Sequence, residues 1–303
     1  MTKLEGVITP LLTPFEQSGD IAGDLLLQHA KWVLNEGSSY LSPFGTTGEA
    51  LSISSRARMQ ALELLVDGGV PADKIVPGTG LCSLEETRQL TRHARELGCA
   101  GVMTLPPFFY TGASEDGLFS YFAGLIETDG TGPIVLYHIP SHAGVGISAR
   151  LAARLNESFP NIVMGYKDSS GDWSNTQSVI EAAPGLGVFP GSESFLTKGL
   201  AAGGVGCISA TCNVNVRQIR KLYNGARSGA DVALLDTEVK AVRKIVQDAG
   251  LIPSMKALLA DRLGEPRWRN VLAPLTPPDA TLGAQIGAAL GMTAEHMTAH
   301  ITA

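Results

Sequence analysis

A regular alternation of short apolar runs with amphipathic stretches restricts this chain to few folds. Eight runs rich in Val, Ile, Leu and aromatic residues occur before residue 210, and helical patterns lie between them. The runs lack the strict apolar–polar alternation of a half-exposed strand, so they fit parallel strands covered by helices. Eight such units favour a closed (β/α)8 TIM barrel over an open sheet. The predicted strands are residues 6–11, 40–44, 74–77, 101–105, 134–139, 162–167, 187–190 and 205–209.

The C-terminal part of the sequence has helical character only. Residues 24–35, 55–66, 84–97 and 115–127 are the clearest helices between the strands, whereas residues 216–226, 231–249, 255–263 and 280–290 follow the last strand. Pro253 and the pair at 277–278 interrupt these later helices. We therefore predict an α/β chain whose catalytic (β/α)8 barrel spans residues 1–230. A helical extension, residues 231–303, is predicted to pack on that barrel.

Composition excludes several classes of function. No apolar run approaches the length of about 18 residues that a transmembrane helix needs, and no basic segment precedes an apolar run at the N-terminus. The sequence therefore predicts a cytoplasmic protein with no membrane partner. The net charge is −6 and the Lys and Arg residues are dispersed, so no nucleic-acid partner is expected. The four cysteines form no Cys-x-x-Cys pair, which argues against a zinc knuckle or a redox dithiol.

Reactive side chains occur where predicted strands end, which is the active-site face of a TIM barrel. Thr46 and Thr47 lie in a Gly-flanked turn after the second strand, and their hydroxyls suit carboxylate binding or proton transfer. Tyr137 is placed to act as an acid or base, and Lys167 closes an apolar strand that would favour a neutral, nucleophilic amine. Taken singly, each has a structural alternative: a tight turn, a core aromatic, or an amine that reaches water. Their coincidence at one rim favours a site.

Two further strand ends supply candidate substrate contacts. Gly191 follows the seventh strand and Ser209 closes the eighth, so both could frame the substrate chain.

A metal site would need about three ligands, and only His138 and His142 lie near the rim. We therefore predict no metal. His296 and His300, one helical turn apart, are predicted to be a solvated face of the last helix.

The motifs together resemble those of the dihydrodipicolinate synthase / N-acetylneuraminate lyase family of class I aldolases. The matches are Gly-Thr-Thr-Gly-Glu at 45–49, Tyr-x-x-Pro at 137–140, Gly-x-Lys at 165–167, Gly-Ser-Glu at 191–193 and Gly-x-Ile-Ser at 206–209. Their order and spacing extend the resemblance over essentially the whole chain. The resemblance implies that Lys167 forms a Schiff base with pyruvate and that Tyr137 moves protons. It also implies that Thr46, Thr47 and Gly48 hold the pyruvate carboxylate, and that no cofactor is needed.

Two departures from the family pattern bear on the second substrate. His142 stands where synthases of this family carry an Arg that grips the carboxylate of the aldehyde. In the loop after the fourth strand the family presents a Tyr pair, and this chain has Phe108, Phe109 and Tyr110. If Tyr110 holds the inter-subunit position, a Thr47–Tyr137–Tyr110 relay survives; if Phe109 holds it, the relay is broken. Plain packing of this aromatic cluster is the third alternative.

The sequence thus predicts a Schiff-base-forming lyase or aldolase that acts through Lys167 on pyruvate or a related 2-oxo acid and an aldehyde. One alternative is 4-hydroxy-tetrahydrodipicolinate synthase, which condenses pyruvate with aspartate semialdehyde. Another is a dehydratase of a 2-keto-3-deoxy sugar acid. A metal-dependent aldolase and a non-enzymatic binding barrel are the competing classes. A homodimer or homotetramer is expected from the resemblance alone.

Overall fold

A computed structural model describes residues 4–127 and 132–291, and its strands form two parallel sheets. One sheet has the strand order β2-β1-β7 and the other has the order β3-β4-β5-β6. The predicted apolar runs supply these strands, which are buried on both faces. Within the described residues the strands are β1 (Gly6–Thr9), β2 (Tyr40–Leu41), β3 (Val102–Thr104), β4 (Ile134–His138), β5 (Val163–Asp168), β6 (Gly187–Pro190) and β7 (Gly206–Ile208).

The segment at residues 75–78 closes the gap between the two sheets. Its bridges are isolated ones, Ile75 with Leu41 and Gly78 with Met103. Val76 N donates to the Leu41 carbonyl at 2.8 Å, and Met103 N donates to the Pro77 carbonyl at 2.9 Å. The prediction of a regular third strand was therefore wrong, because Pro77 has no N–H to continue a ladder. The segment still occupies the third of the eight strand positions in the barrel.

The barrel also closes on its other side. Val205 N, just before β7, donates to the Val188 carbonyl of β6 at 3.0 Å. The eight extended segments therefore form a closed barrel, as predicted, and their C-terminal ends lie at one mouth.

Helices cover the outside of the barrel, and several begin at a serine. Ser54, Ser83, Ser114 and Ser148 each accept a hydrogen bond from an amide of the first helical turn, which satisfies an otherwise unpaired donor. The helices of the described residues, short 3-10 turns apart, are α1 (Gly23–Asn35), α2 (Ser55–Asp67), α3 (Leu84–Glu96), α4 (Glu115–Ile126), α5 (Pro140–Ala143), α6 (Ala149–Ser158), α7 (Trp173–Ala182), α8 (Leu196–Ala201), α9 (Cys212–Arg227), α10 (Ala233–Asp248), α11 (Leu251–Leu263) and α12 (Leu282–Ala289).

Helices α10 to α12 form the C-terminal part and share a core with the barrel. Met255 and Trp268 belong to the same buried cluster as Leu12 and Ala210 of the barrel. Pro253, expected to interrupt the helices, lies in the first turn of α11, where a missing N–H costs little. The domain boundary at residue 230 stays a prediction. His296 and His300 lie outside the described residues.

Candidate active site

A cavity of about 680 Å³ opens at the mouth of the barrel, where the strands end. Loops after β2, β4, β5, β6 and β7 contribute to its wall, and α10 and the start of α11 complete it. Six of the nine predicted site residues line it: Thr46, Thr47, Tyr137, His142, Lys167 and Gly191.

Lys167 and Tyr137 lie side by side on neighbouring strands. Their Cα atoms are register partners in the parallel pairing of β4 with β5. Lys167 Nζ is 3.9 Å from the centroid of the Tyr137 ring, and each residue is only 3% exposed. The amine is thus held at a fixed place in the cavity wall, with a phenol against it.

The hydroxyl of Thr46 reaches the phenol of Tyr137. Thr46 Oγ1 and Tyr137 Oη share a hydrogen bond of 3.1 Å. The sequence had placed Thr47 in the proton relay, but the structure gives the contact to Thr46. Thr47 is buried and lines the same cavity. Both threonines of the turn therefore line the cavity, and Thr46 is the one whose hydroxyl bonds the phenol.

Gly48 does not line the cavity, contrary to the prediction that it contacts substrate. A Cβ at this position would lie 2.8 Å from the Leu11 carbonyl oxygen, and Thr13 Oγ1 donates to the Gly48 carbonyl at 2.9 Å. Glycine is required here because the turn packs tightly on the segment that follows β1. Gly48 supports the threonine turn from behind.

Of the two residues predicted to frame the substrate chain, Gly191 lines the cavity and Ser209 does not. Gly191 lines the cavity, and a Cβ there would lie 2.3 Å from Ser169 Oγ. Ser209 is fully buried, donates its hydroxyl to Glu193 and is absent from the cavity lining, so the geometry does not support its predicted contact with substrate. Ile208 and Ala210, its neighbours in sequence, line the cavity instead.

His138 and His142 also differ. His142 is exposed at the cavity, and its Nδ1 lies 3.0 Å from Ser141 Oγ. His138 is buried, accepts a hydrogen bond from Ile147 N at 2.9 Å, and stacks on Tyr166. Burial lowers the pKa of His138, which favours the neutral ring that this contact needs. Within residues 4–127 and 132–291, no cluster of three or more His, Cys, Asp or Glu is arranged to hold a metal ion.

Phe109 and Tyr110 lie on the surface, away from the cavity of their own chain. Phe109 is 80% exposed and has a φ of 78°, and Tyr110 is 68% exposed. A positive φ is strained for a bulky residue, and such strain recurs at functional positions. Neither aromatic side chain touches Tyr137 in this chain, so a relay through Tyr110 would need a second chain.

The structure adds two charged groups that the motifs did not reveal. Lys256 of α11 forms a buried ion pair with Glu49 of the Gly-Thr-Thr-Gly-Glu motif. Arg243 of α10 lines the cavity and lies 3.5 Å from the buried Glu193 carboxylate. Both cations come from the C-terminal helices, but only Arg243 lines the cavity, and through it the extension contributes to the candidate site.

The model of the dihydrodipicolinate synthetase family matches residues 3–292. The chain belongs to this family. It is 35% identical over 276 residues to the 4-hydroxy-tetrahydrodipicolinate synthase of Thermus thermophilus, which covers 90% of this chain and 91% of the relative. It is 31% identical over 280 residues to an uncharacterized DapA-like lyase of Chloroflexus aurantiacus, which covers 91% and 93%.

A solved structure supports the same assignment. The crystal structure of dihydrodipicolinate synthase from Agrobacterium tumefaciens superposes with a TM-score of 0.86 at 31% identity, over 95% of this chain and 99% of the other. The predicted TIM barrel and the predicted lyase class, a Schiff-base-forming aldolase acting on a 2-oxo acid, are confirmed at the level of the family. In the part of the chain that the structure describes, no helix is long and apolar enough to span a bilayer.

Proposed function

We propose that Lys167 is the nucleophile of this dihydrodipicolinate synthetase family member and that pyruvate or a related 2-oxo acid is its first substrate. One observation carries the proposal: Lys167 Nζ lies 3.9 Å from the centre of the Tyr137 ring, in the wall of a cavity. Tyr137 in turn shares a hydrogen bond with Thr46. A buried amine beside a tethered phenol is an arrangement suited to Schiff-base chemistry.

The chemistry begins when the neutral Lys167 amine attacks the keto carbon. The resulting carbinolamine loses water once its hydroxyl has been protonated, and an iminium between Lys167 and the substrate remains. The iminium withdraws electrons, so the adjacent methyl carbon releases a proton and an enamine forms. Attack of that enamine on an aldehyde makes a carbon–carbon bond, and the reverse sequence cleaves one. Water finally hydrolyses the iminium and frees Lys167.

Tyr137 is the group placed to deliver and recover these protons. Its phenol lies against both Lys167 and the Thr46 hydroxyl, so a proton lost to the substrate can be replaced through Thr46. Thr47 lines the same cavity and is proposed to bind the carboxylate of the 2-oxo acid.

A second candidate is narrower: 4-hydroxy-tetrahydrodipicolinate synthase, in which aspartate semialdehyde is the aldehyde. The 35% identity to the Thermus thermophilus enzyme of that name supports it. His142 argues against it, because an imidazole lacks the planar fork with which an Arg binds a carboxylate.

The exposed Phe109 and Tyr110 support a homo-oligomer. Two adjacent large rings at 80% and 68% exposure are typical of a surface that packs against another chain. We propose that both side chains pack against a second copy of this chain, in a homodimer or homotetramer. We also propose that the enzyme works in the cytoplasm.

Deuterium exchange into pyruvate tests the nucleophile without knowledge of the aldehyde. Enamine formation exchanges the methyl protons of pyruvate in D₂O, and proton NMR follows their loss. We expect the native enzyme to catalyse exchange, Lys167→Ala to lose it, and Lys198→Ala, which changes an exposed lysine outside the cavity lining, to keep it. Exchange that persists in Lys167→Ala at the native rate would overturn the proposal.

A further inference from the structure

Arg243 is a fixed cation in the cavity that the chemistry at Lys167 does not use. It projects from α10, and its side chain is 13% exposed. Three contacts hold it: Nη1 donates to Ser209 Oγ at 3.2 Å, Nε donates to Gln247 Oε1 at 3.0 Å, and Nη1 lies 3.5 Å from Glu193 Oε2. Such an arrangement fixes the direction of the guanidinium.

Glu193 steadies Arg243 without occupying its donors. Ser209 donates to one oxygen of the Glu193 carboxylate and Thr211 donates to the other. The separation of 3.5 Å from Arg243 exceeds the roughly 2.7–2.9 Å of a direct charge-assisted hydrogen bond. The guanidinium therefore keeps hydrogen-bonding capacity toward the cavity. Of its three nitrogens, Nη2 makes no hydrogen bond to any residue in the described ranges.

The position of Arg243 relative to Lys167 defines what it can contact. Tyr137 stands on β4, on one side of Lys167, whereas Glu193 and Ser209 follow β6 and β7 on the other side. Arg243 is held above β6 and β7 through these two residues. A substrate joined to Lys167 can therefore place its reacting carbons beside Tyr137 and extend its far end toward Arg243.

Asp168 also lies on the cavity wall, and both oxygens of its carboxylate already accept hydrogen bonds. Asp168 accepts from Ser170 N, Asn175 Nδ2 and Thr176 Oγ1, at 2.9, 3.0 and 2.6 Å. These three donors stabilise the negative charge of Asp168. Once Lys167 is consumed in the Schiff base, Arg243 is the permanent cation that remains among the cavity-lining residues of the described chain.

We propose that Arg243 binds a carboxylate on the second substrate, so that the acceptor of this enzyme is an aldehyde acid. Gln247, which also lines the cavity and bonds Arg243, is placed to donate its amide to the same group. The acid-binding residue then comes from the C-terminal helices, and the absence of an Arg at position 142 does not remove acid selectivity. This inference rests on the proposed Schiff-base function of Lys167.

Two aldehydes of equal chain length test the inference: succinic semialdehyde, which carries a carboxylate, and butanal, which does not. Condensation with pyruvate is followed by proton NMR, and kcat/KM is compared for the two. We expect the native enzyme to prefer succinic semialdehyde. A hydrogen bond to a charged group corresponds to about 10- to 150-fold, so Arg243→Met should reduce the preference by that factor, mainly through KM. Arg243→Lys, which keeps the charge, should retain part of the preference.

Controls separate this inference from the proposed function. Arg243→Met/Glu193→Gln removes both charges, so a loss of preference there cannot come from an unpaired Glu193. Deuterium exchange of pyruvate, which needs no aldehyde, reports on the Lys167 site in every variant. No exchange in the native enzyme would overturn the proposed function and this inference with it. With exchange present, an equal loss for both aldehydes, or no native preference for the acid, would overturn the role of Arg243 alone.

Discussion

Replacing Lys256 with methionine should destabilise the fold far more than replacing an exposed lysine. Lys256 and Glu49 form an ion pair with side chains only 0% and 2% exposed. Lys256 Nζ also donates to the Asn270 carbonyl at 2.7 Å and lies 4.4 Å from the centre of the Phe15 ring. Burial lowers the pKa of Lys256 to about 8, so the ammonium still predominates at pH 7.

The magnitude follows from what the substitution leaves behind. Methionine fills a similar volume, so the apolar contacts of the stem remain, but the Glu49 carboxylate stays buried with Leu272 N as its remaining donor at 2.7 Å. Removing one partner of a buried ion pair costs about 3–5 kcal/mol in the free energy of unfolding. We expect Lys256→Met to lie in this range.

The assay is urea unfolding at pH 7, followed by circular dichroism and by tryptophan fluorescence. Lys244→Met is the matched control, because the Lys244–Asp248 pair is 76% and 61% exposed and such pairs contribute about 0–1 kcal/mol. Glu49→Gln/Lys256→Met removes both charges and should recover about 2 kcal/mol or more of the loss. A Lys256→Met protein within 1 kcal/mol of Lys244→Met would refute the reasoning.

Three shorter predictions concern the cavity and the core. Tyr137→Phe should slow pyruvate exchange by about 100-fold or more, because the acid–base group is lost. Gly191→Ala should weaken pyruvate binding, since its Cβ would lie 2.3 Å from Ser169 Oγ. Burial lowers the pKa of His29 from 6.5 to about 4. Between these two pH values His29 is protonated in the unfolded chain and neutral in the folded chain. Stability should fall by about 3 kcal/mol as pH drops from 6.5 to 4, and His29→Gln should flatten that slope.

Each of these has a result that would count against it. Tyr137→Phe at the native exchange rate would make the phenol a packing residue. A Gly191→Ala enzyme with unchanged KM for pyruvate would show that the wall after β6 yields easily. Urea midpoints of His29→Gln that track the native protein from pH 6.5 to 4 would place the acid sensitivity in other groups.

The barrel was predictable because a parallel sheet covered by helices leaves a strong pattern of buried runs. Lys167 and Tyr137 were predictable for a related reason, since strand ends mark the active-site face. Ser209 lies at the strand end as predicted, but the direction of its side chain could not be read from the sequence, whereas Gly48 has no side chain and lies behind the threonine turn. Side chains alternate along a strand, so Ile208 and Ala210 face the cavity while Ser209 faces Glu193. A shift of one residue reverses that assignment.

Arg243 and Lys256 could not be predicted from sequence for a different reason. They lie on helices of the C-terminal part, and helical periodicity identifies a buried face without saying what that face meets. Lys256 finds Glu49 across 207 positions of sequence. Glu49 was visible as part of a motif, but its partner was not, because the pairing depends on how α11 docks on the barrel.

The most direct test of the central claim is borohydride reduction in the presence of pyruvate, followed by intact mass and peptide mapping. The account predicts one reduced pyruvate adduct, carried by the peptide that contains Lys167, and none on Lys256, the other fully buried lysine with a described environment. Lys167→Ala should remain unlabelled. An adduct confined to a different lysine, or no adduct with pyruvate or with longer 2-oxo acids, would contradict the claim that Lys167 is the Schiff-base residue.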